Sequence, residues 1–348
     1  MIEFGSDFHY IKPSFEERNT LRDFYPSANY YVDGRQALIH LYFSQGWERL
    51  WVPMYFCYDV IASLEQAGIK LVFYSDNPGY DKDDMTLEAA QRNGHLKRTD
   101  VILRINYFGL RSYRSLSKLS VAAIVEDHTH DLIGGWARCS SADWCIASLR
   151  KTLPIPEGGI LWSPKGLCLP EAPEMSEENE RIATIRWKSM ELKSKYLKGE
   201  NVDKALFRVK FVNTEEFFDM APVCSLDKRS KEYLQSFNIM EWYHKKLENW
   251  ELLKDIKKDG VRIMRPENMG CYPFSLVLLF DDFSERNRVR KALIEHHVYP
   301  AILWTVPQNV SSSAKDFSER MLSIHCDGRY SEDDIRQLAD ILNRALEE

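Results

Sequence analysis

Ala123-Ile124-Val125-Glu126-Asp127-His128-Thr129-His130 is an apolar run that ends in an acidic pair and two histidines. Downstream, Asp143-Trp144-Cys145-Ile146-Ala147-Ser148-Leu149-Arg150-Lys151 is a second apolar run, ending in serine, arginine and lysine. Near-continuous apolar runs of this length are expected of strands buried on both faces, as in a parallel sheet. Each run then delivers its polar end where an open α/β sheet places its ligands, beyond the carboxyl ends of the strands. A carboxylate from one strand end, Asp127, and an amine just past another, Lys151, can converge on one bound group.

The same texture extends to both sides. Arg49 to Pro53, Ile69 to Tyr74, Val101 to Ile105, Val121 to Glu126 and Trp144 to Ala147 all read as buried strands. Asp59 to Gln66, Thr86 to Arg92 and Ser112 to Leu119 lie between them and are long enough for crossover helices. This alternation predicts an α/β sheet covered by helices on both faces. Past Pro164 the texture changes. Glu171 to Leu197 is charged and helical in period, with a solvated face, and Ser230 to Lys258 reads as one long helix with Tyr233, Phe237, Met240 and Trp242 as its buried stripe. A second α/β region follows: a strand over Tyr272 to Phe280, a helix over Ser284 to His296, a short strand over Leu322 to Ile324 and a closing helix over Ser331 to Leu346. Ser331 and Asp334 are spaced as a capping box for that helix, and Ser311-Ser312-Ser313 reads as a loop. The predicted organisation is a large domain over 20–228 and a small C-terminal domain over 229–348, with 1–19 packing on either.

Composition sets limits on function. At 348 residues, with 44% hydrophobic and 28% charged residues, the chain can bury a large core. A net charge of -6 lacks the basic footprint of a nucleic-acid binder. No apolar stretch approaches a bilayer span, and the start of the chain lacks a secretory pattern. Seven cysteines without clustered spacing point to free thiols in a reducing compartment, so a cytoplasmic location is expected.

Each candidate site is weighed against a plainer role. In Asp33-Gly34-Arg35-Gln36, a glycine at a helix start lets backbone N–H groups approach a phosphate, although such a glycine by itself is only a turn. Tyr55, Phe56, Cys57 and Tyr58 follow a strand end, where an aromatic can stack on a flat ring or simply fill core. Asp127 at the end of a buried strand needs a cationic partner, either a protonated ring nitrogen or an arginine. His128 and His130 beside Asp127 have no third cluster to complete a metal site, so no metal is expected. Ser148 and Arg150 can hold a phosphate, and a lysine desolvated beside positive charge becomes nucleophilic. The chemistry that wants this acid and this amine together is pyridoxal phosphate (PLP) catalysis: lysine as Schiff base, carboxylate on the pyridine nitrogen.

That combination resembles the DegT-type aminotransferases, PLP enzymes of fold type I, from about Gly34 to Leu346. Asp33-Gly34-Arg35-Gln36-Ala37-Leu38 is similar to that family's phosphate turn, Val52-Pro53 to the start of its ring-stacking segment, and Asn106-Tyr107-Phe108-Gly109 to a strand-end motif. Val125-Glu126-Asp127-His128-Thr129-His130 resembles its Glu-Asp-Ala-Ala-Gln stretch, and Glu157-Gly158-Gly159 its following glycine pair. The resemblance implies a mostly parallel seven-stranded sheet with a smaller C-terminal α/β domain. It makes Lys151 and Asp127 catalytic and implies cofactor contacts from Gly34, Arg35, Gln36, Tyr55, Phe56, Cys57, Asn106, His130 and Ser148, with His130 near the ring hydroxyl.

The chain departs from the pattern in four places. The serine-to-lysine spacing is short, and Arg35 replaces a small hydroxyl residue. No Asn-Tyr-Arg segment is found between Pro164 and Asp227. Tyr299-Pro300-Ala301-Ile302-Leu303-Trp304 puts an indole, Trp304, beside the expected substrate pocket. Arg329 suits a donor carboxylate, with an ordinary loop salt bridge as the plainer reading. The implied activity is aminotransfer from a donor such as glutamate to a carbonyl acceptor, a keto-sugar or nucleotide-linked keto-sugar, in a homodimer with shared active sites. Alternatives are another fold-type-I reaction, a lyase or amino-acid transferase, or a non-catalytic relative. No nucleic-acid or membrane partner is expected.

Overall fold

The computed structural model describes the whole chain except Met1, 14–18, 80–84, 114–118, Ala221 and Glu348. Its strands are β1 (Asn29–Tyr31), β2 (Leu50–Pro53), β3 (Leu71–Tyr74), β4 (Val101–Ile105), β5 (Ala123–Asp127), β6 (Trp144–Ser148), β7 (Gly159–Trp162), β8 (Val261–Ile263), β9 (Leu276–Phe280) and β10 (Met321–Ile324). The first seven form one sheet in the order β1-β7-β6-β5-β4-β2-β3. β7 runs antiparallel to both its neighbours, and the remaining pairs are parallel. All five strands expected from apolar runs are present, because β2, β4 and most of β6 are buried from end to end.

Helices cover both faces of this sheet. The helix Gly34–Ser44 sets Ala37, Leu38 and Leu41 against Val125, Ile146 and Leu161, while the other face packs Cys145, Ala147, Ile160 and Trp162 with Trp187, Tyr233 and Trp242. The expected crossover helices occur as Tyr58–Gln66 and Met85–Arg92; of the one expected over Ser112 to Leu119, 114–118 lie outside the described residues.

The region after Pro164 differs from the sequence reading in two ways. The charged helix starts at Glu177 rather than Glu171, because the Ser176 side chain accepts the Asn179 N–H at 3.0 Å and caps it there. It keeps the expected solvated face, with Glu178, Arg181 and Lys188 exposed, while Ile182, Arg186, Trp187 and Met190 on the opposite face are buried. A further helix, Lys204–Met220, packs on it.

The long helix expected over Ser230 to Lys258 is two helices, Lys228–Ser236 and Ile239–Leu253. Phe237 between them is extended, and Asn238 starts the second by accepting the Glu241 N–H at 3.0 Å. A cap residue inside an otherwise helical pattern resets the helix.

β10-β9-β8 form an antiparallel sheet beneath the helices Phe283–Glu295 and Glu332–Glu347. Ser331 and Asp334 make the expected reciprocal cap at 2.8 and 3.2 Å. The serine triplet is no plain loop, since Ser311 caps the helix Ser312–Arg320. Before residue 20, Phe4 enters the small-sheet core and Tyr10 packs on Trp187, so this segment reaches both regions.

Candidate active site

Side chains alternate along β5, so Asp127 points to one face of the sheet and Glu126 to the other. The register partners of Asp127 are Ile105 of β4 and Ile146 of β6. These strand ends, together with the N-terminus of the helix Gly34–Ser44, open on a cavity of about 400 Å³.

Asp127 lies in the cavity wall, where Oδ1 accepts the Thr129 N–H at 2.8 Å. Burial pushes the carboxyl above its ordinary value, against the opposing pull of the Thr129 hydrogen bonds. The Thr129 hydroxyl also accepts the Ser148 N–H at 2.8 Å, so one threonine ties the ends of β5 and β6 together.

Lys151 ends the single turn Leu149–Lys151 that follows β6, and the buried Leu149 anchors that turn. The lysine reaches into the same cavity and makes no hydrogen bond or ion pair among the described residues. The neighbouring Arg150 guanidinium first, and then desolvation in the cavity, lower its pKa to about 8, although the side chain reaches solvent and Glu215 pulls the other way. Acid and amine thus share one cavity without neutralising each other.

The turn Asp33-Gly34-Arg35 is built by close approach. A Cβ on Gly34 would lie 3.0 Å from the Ser148 nitrogen, and one on Gly159 only 2.1 Å from the Asp33 carbonyl oxygen. Both positions must be bare for the helix to begin directly on the ends of β6 and β7. The helix start and Ser148 therefore face the cavity together, where the dipole favours an anion. Arg35 lines it too, with Nη1 donating to Ser63 Oγ at 2.9 Å and Nε 3.2 Å from Asp33.

Two expected contacts need correction. Gln36 does not reach the cavity: its N–H is taken by the Asp33 cap at 2.9 Å, and its Oε1 accepts the Cys224 N–H at 3.0 Å. Tyr55 is also absent from the walls, buried with its hydroxyl on the Leu303 carbonyl. Phe56 and Cys57 do line the cavity, so Phe56 is the aromatic this loop presents.

Asn106 is buried in the wall with Nδ2 3.4 Å from His128 Nδ1, and its Oδ1 has no partner. His130 accepts the Phe108 N–H on Nδ1 at 2.9 Å. Burial, with Lys246, His325 and Lys151 nearby, lowers its pKa to about 3, so the ring is neutral and carries its proton on Nε2. Trp304 stacks on it at 5.4 Å and 19°, and Phe274 lies 4.5 Å away.

Arg329 also lines the cavity but is engaged. It makes a two-pronged contact with Asp327 at 2.8 and 2.9 Å and donates to the Ser6 carbonyl at 2.8 Å. It thereby pins the N-terminal segment, whose Gly5 to Phe8 form another wall. Sequence reasoning also passed over Thr129, Arg186, Glu215 and His325 as wall residues. Of these only Thr129 carried a local signal, the turn an aspartate makes with the backbone two residues on.

Glu126, His128 and Cys145 are clustered closely enough to hold a metal. Glu126 already accepts from Trp136 at 2.9 Å and Ser140 at 2.6 Å, with His128 and Arg104 each at 3.2 Å. Protein donors satisfy this carboxylate.

No family model and no curated protein sequence matches the chain. Solved structures do. A Streptococcus pneumoniae protein described as a sugar aminotransferase, in its PMP form, aligns over 98% of this chain and 92% of its own, with TM-score 0.62 and 12% identity. A DegT DnrJ EryC1 StrS aminotransferase from Brucella abortus aligns over 95% and 92%, with TM-score 0.61 and 13% identity. Helicobacter pylori PseC, an aminotransferase involved in pseudoaminic acid biosynthesis, aligns over 99% and 93%, with TM-score 0.61 and 15% identity. The chain therefore has the fold of these aminotransferases, the fold-type-I architecture of PLP enzymes, over nearly its whole length.

Proposed function

We propose that this protein is a PLP-dependent aminotransferase acting on a keto-sugar or nucleotide-linked keto-sugar, with glutamate as amino donor. The observation that carries the reading is the placement of Asp127 and Lys151 on the walls of one cavity, a half-buried acid and an amine that reaches solvent, neither paired with the other. The residues present fit the cofactor. Gly34 and Ser148 form a bare anion cradle, and Asn106 Oδ1 is an orphan acceptor in the wall. Among the described residues, half-buried Asp127 has no cationic partner, and a protonated ring nitrogen would supply one.

When bound, PLP serves as an electron sink for the carbon that loses its proton. Lys151 would hold the cofactor and would carry the proton at the reacting carbon; a pKa of about 8 keeps part of it basic near neutrality. Asp127 would keep the ring nitrogen protonated, and Thr129 holds Asp127 in place. Neutral His130, with its proton on Nε2, would offer it to the ring oxygen. Phe56 and Trp304 form apolar walls, and Gly5 to Phe8 help to exclude water. The sugar acceptor is supported by the fold neighbour described as a sugar aminotransferase. Homodimeric assembly and a cytoplasmic location belong to the same reading; among the described residues, no helix is long and apolar enough to cross a membrane.

The test is a half-reaction. PLP-loaded protein mixed with L-glutamate should lose its visible absorbance and release one equivalent of 2-oxoglutarate. Persistence of the absorbance with every amino donor tried contradicts aminotransfer.

A further inference from the structure

We propose that Arg150 and Arg186 form a subsite for a substrate carboxylate, and that Glu215 occupies this subsite until the substrate arrives. Glu215 places one carboxylate oxygen 2.8 Å from Arg150 Nη2 and the other 3.0 Å from Arg186 Nη1. The two guanidiniums are 9% and 5% exposed, whereas Glu215 is 48% exposed on the helix Lys204–Met220. Two buried cations are thus served by one anion that reaches solvent.

The cations are held within the wall, whereas the anion meets them from an exposed position on its helix. Both guanidiniums lie over the Phe218 ring, at 4.7 and 4.8 Å, and Arg186 Nε donates to the Pro156 carbonyl at 2.9 Å. Arg150 Nε is buried without a hydrogen-bond partner, so the pair retains donor capacity that Glu215 does not use. Lys151 adds a third positive charge along the same wall. Arg150 and Arg186 together hold the Glu215 carboxyl down, to about 2, so it is ionised at any working pH.

The ligand class follows from the geometry. Glu215 shows that one planar carboxylate can give one oxygen to each guanidinium. An incoming carboxylate makes the same two contacts, so rotating Glu215 into solvent exposes no uncompensated buried cation. The subsite lines the cavity that holds Lys151, which suits the carboxylate of an amino donor. Only that assignment rests on the aminotransferase reading; the arginine pair and its bound glutamate do not.

Calorimetric titration with glutarate, on purified protein with and without PLP, tests the exchange. Glu215→Gln should bind glutarate about tenfold more tightly than the wild type, and adding Arg186→Gln should cancel the gain. Inorganic phosphate at matched ionic strength should gain less than about threefold. Glu215→Asp, which keeps the charge on a shorter arm, should show a smaller gain and serves if the glutamine variant does not fold. Unchanged or weaker glutarate binding in Glu215→Gln, or an equal gain for phosphate, overturns the proposal. Because the cofactor-free titration decides this alone, failure of PLP to bind would defeat the proposed function without touching the subsite.

Discussion

Glu126 and Asp127 are neighbours in β5 that face opposite sides of one sheet, and their surroundings could hardly differ more. Glu126 meets Arg104, His128, Trp136 and Ser140, and these partners hold its pKa below the ordinary value even though burial pulls the other way. Asp127 has hydrogen bonds from Thr129 alone, and burial leaves its carboxyl above the ordinary value. The same split separates Arg104, paired with Glu126 in register across β4 and β5, from Lys151, which has no such partner. Arg104 and Glu126 are fully buried, whereas Asp127 is half-buried and Lys151 reaches solvent. What marks the functional side is charge left uncompensated by fixed protein groups, as expected of a site awaiting a ligand.

Substitutions can break this contrast. The largest effect is expected for Lys151→Ala, which should reduce transamination by about 10⁴-fold while circular dichroism and the melting temperature stay near wild type. Glu126→Ala should act the other way round. It strips Arg104 of its counter-ion and should cost about 3–5 kcal/mol in a urea-unfolding measurement. Asp127→Asn should reduce turnover by about 10²–10³-fold and leave the melting temperature equal or higher, since no uncompensated carboxylate is then buried. A large loss of stability in Asp127→Asn would erase the distinction between the two faces.

A smaller effect sharpens the comparison at Glu157. Its Oε1 accepts the Asp227 N–H at 2.7 Å, Oε2 has no partner, and burial raises the pKa to about 8. The folded state therefore holds a proton that the unfolded chain releases near pH 4.5. The associated stability is complete below that pH and is lost as the pH rises to about 8. Melting curves between pH 5 and 8 should fall for the wild type, and Glu157→Gln should flatten the slope, a difference of about 1 kcal/mol or more.

Five of the seven strands were readable as largely apolar runs, β1 and β7 not among them, and Asp127 and Lys151 were readable because polar residues close two of those runs. Local competition hid other features. Asp33 claims the Gln36 N–H, and Tyr55 turns its hydroxyl to Leu303, choices made by neighbours that no spacing reveals. Asn238 breaks a helix whose apolar stripe continues past it. Arg186 and Glu215 come from two different helices and meet only through the packing of those helices, so neither had a signal in its own segment.

Borohydride reduction of the PLP-loaded protein, followed by peptide mapping, tests the central claim most directly. The expected result is one pyridoxyl group per chain, on the peptide carrying Lys151. Lys193 and Lys246 are the instructive alternatives, since burial lowers both amines to about 8 as well, yet neither lines the cavity. Label on either of them, or no label at all, contradicts the assignment of Lys151 and Asp127 as the two ends of a cofactor site.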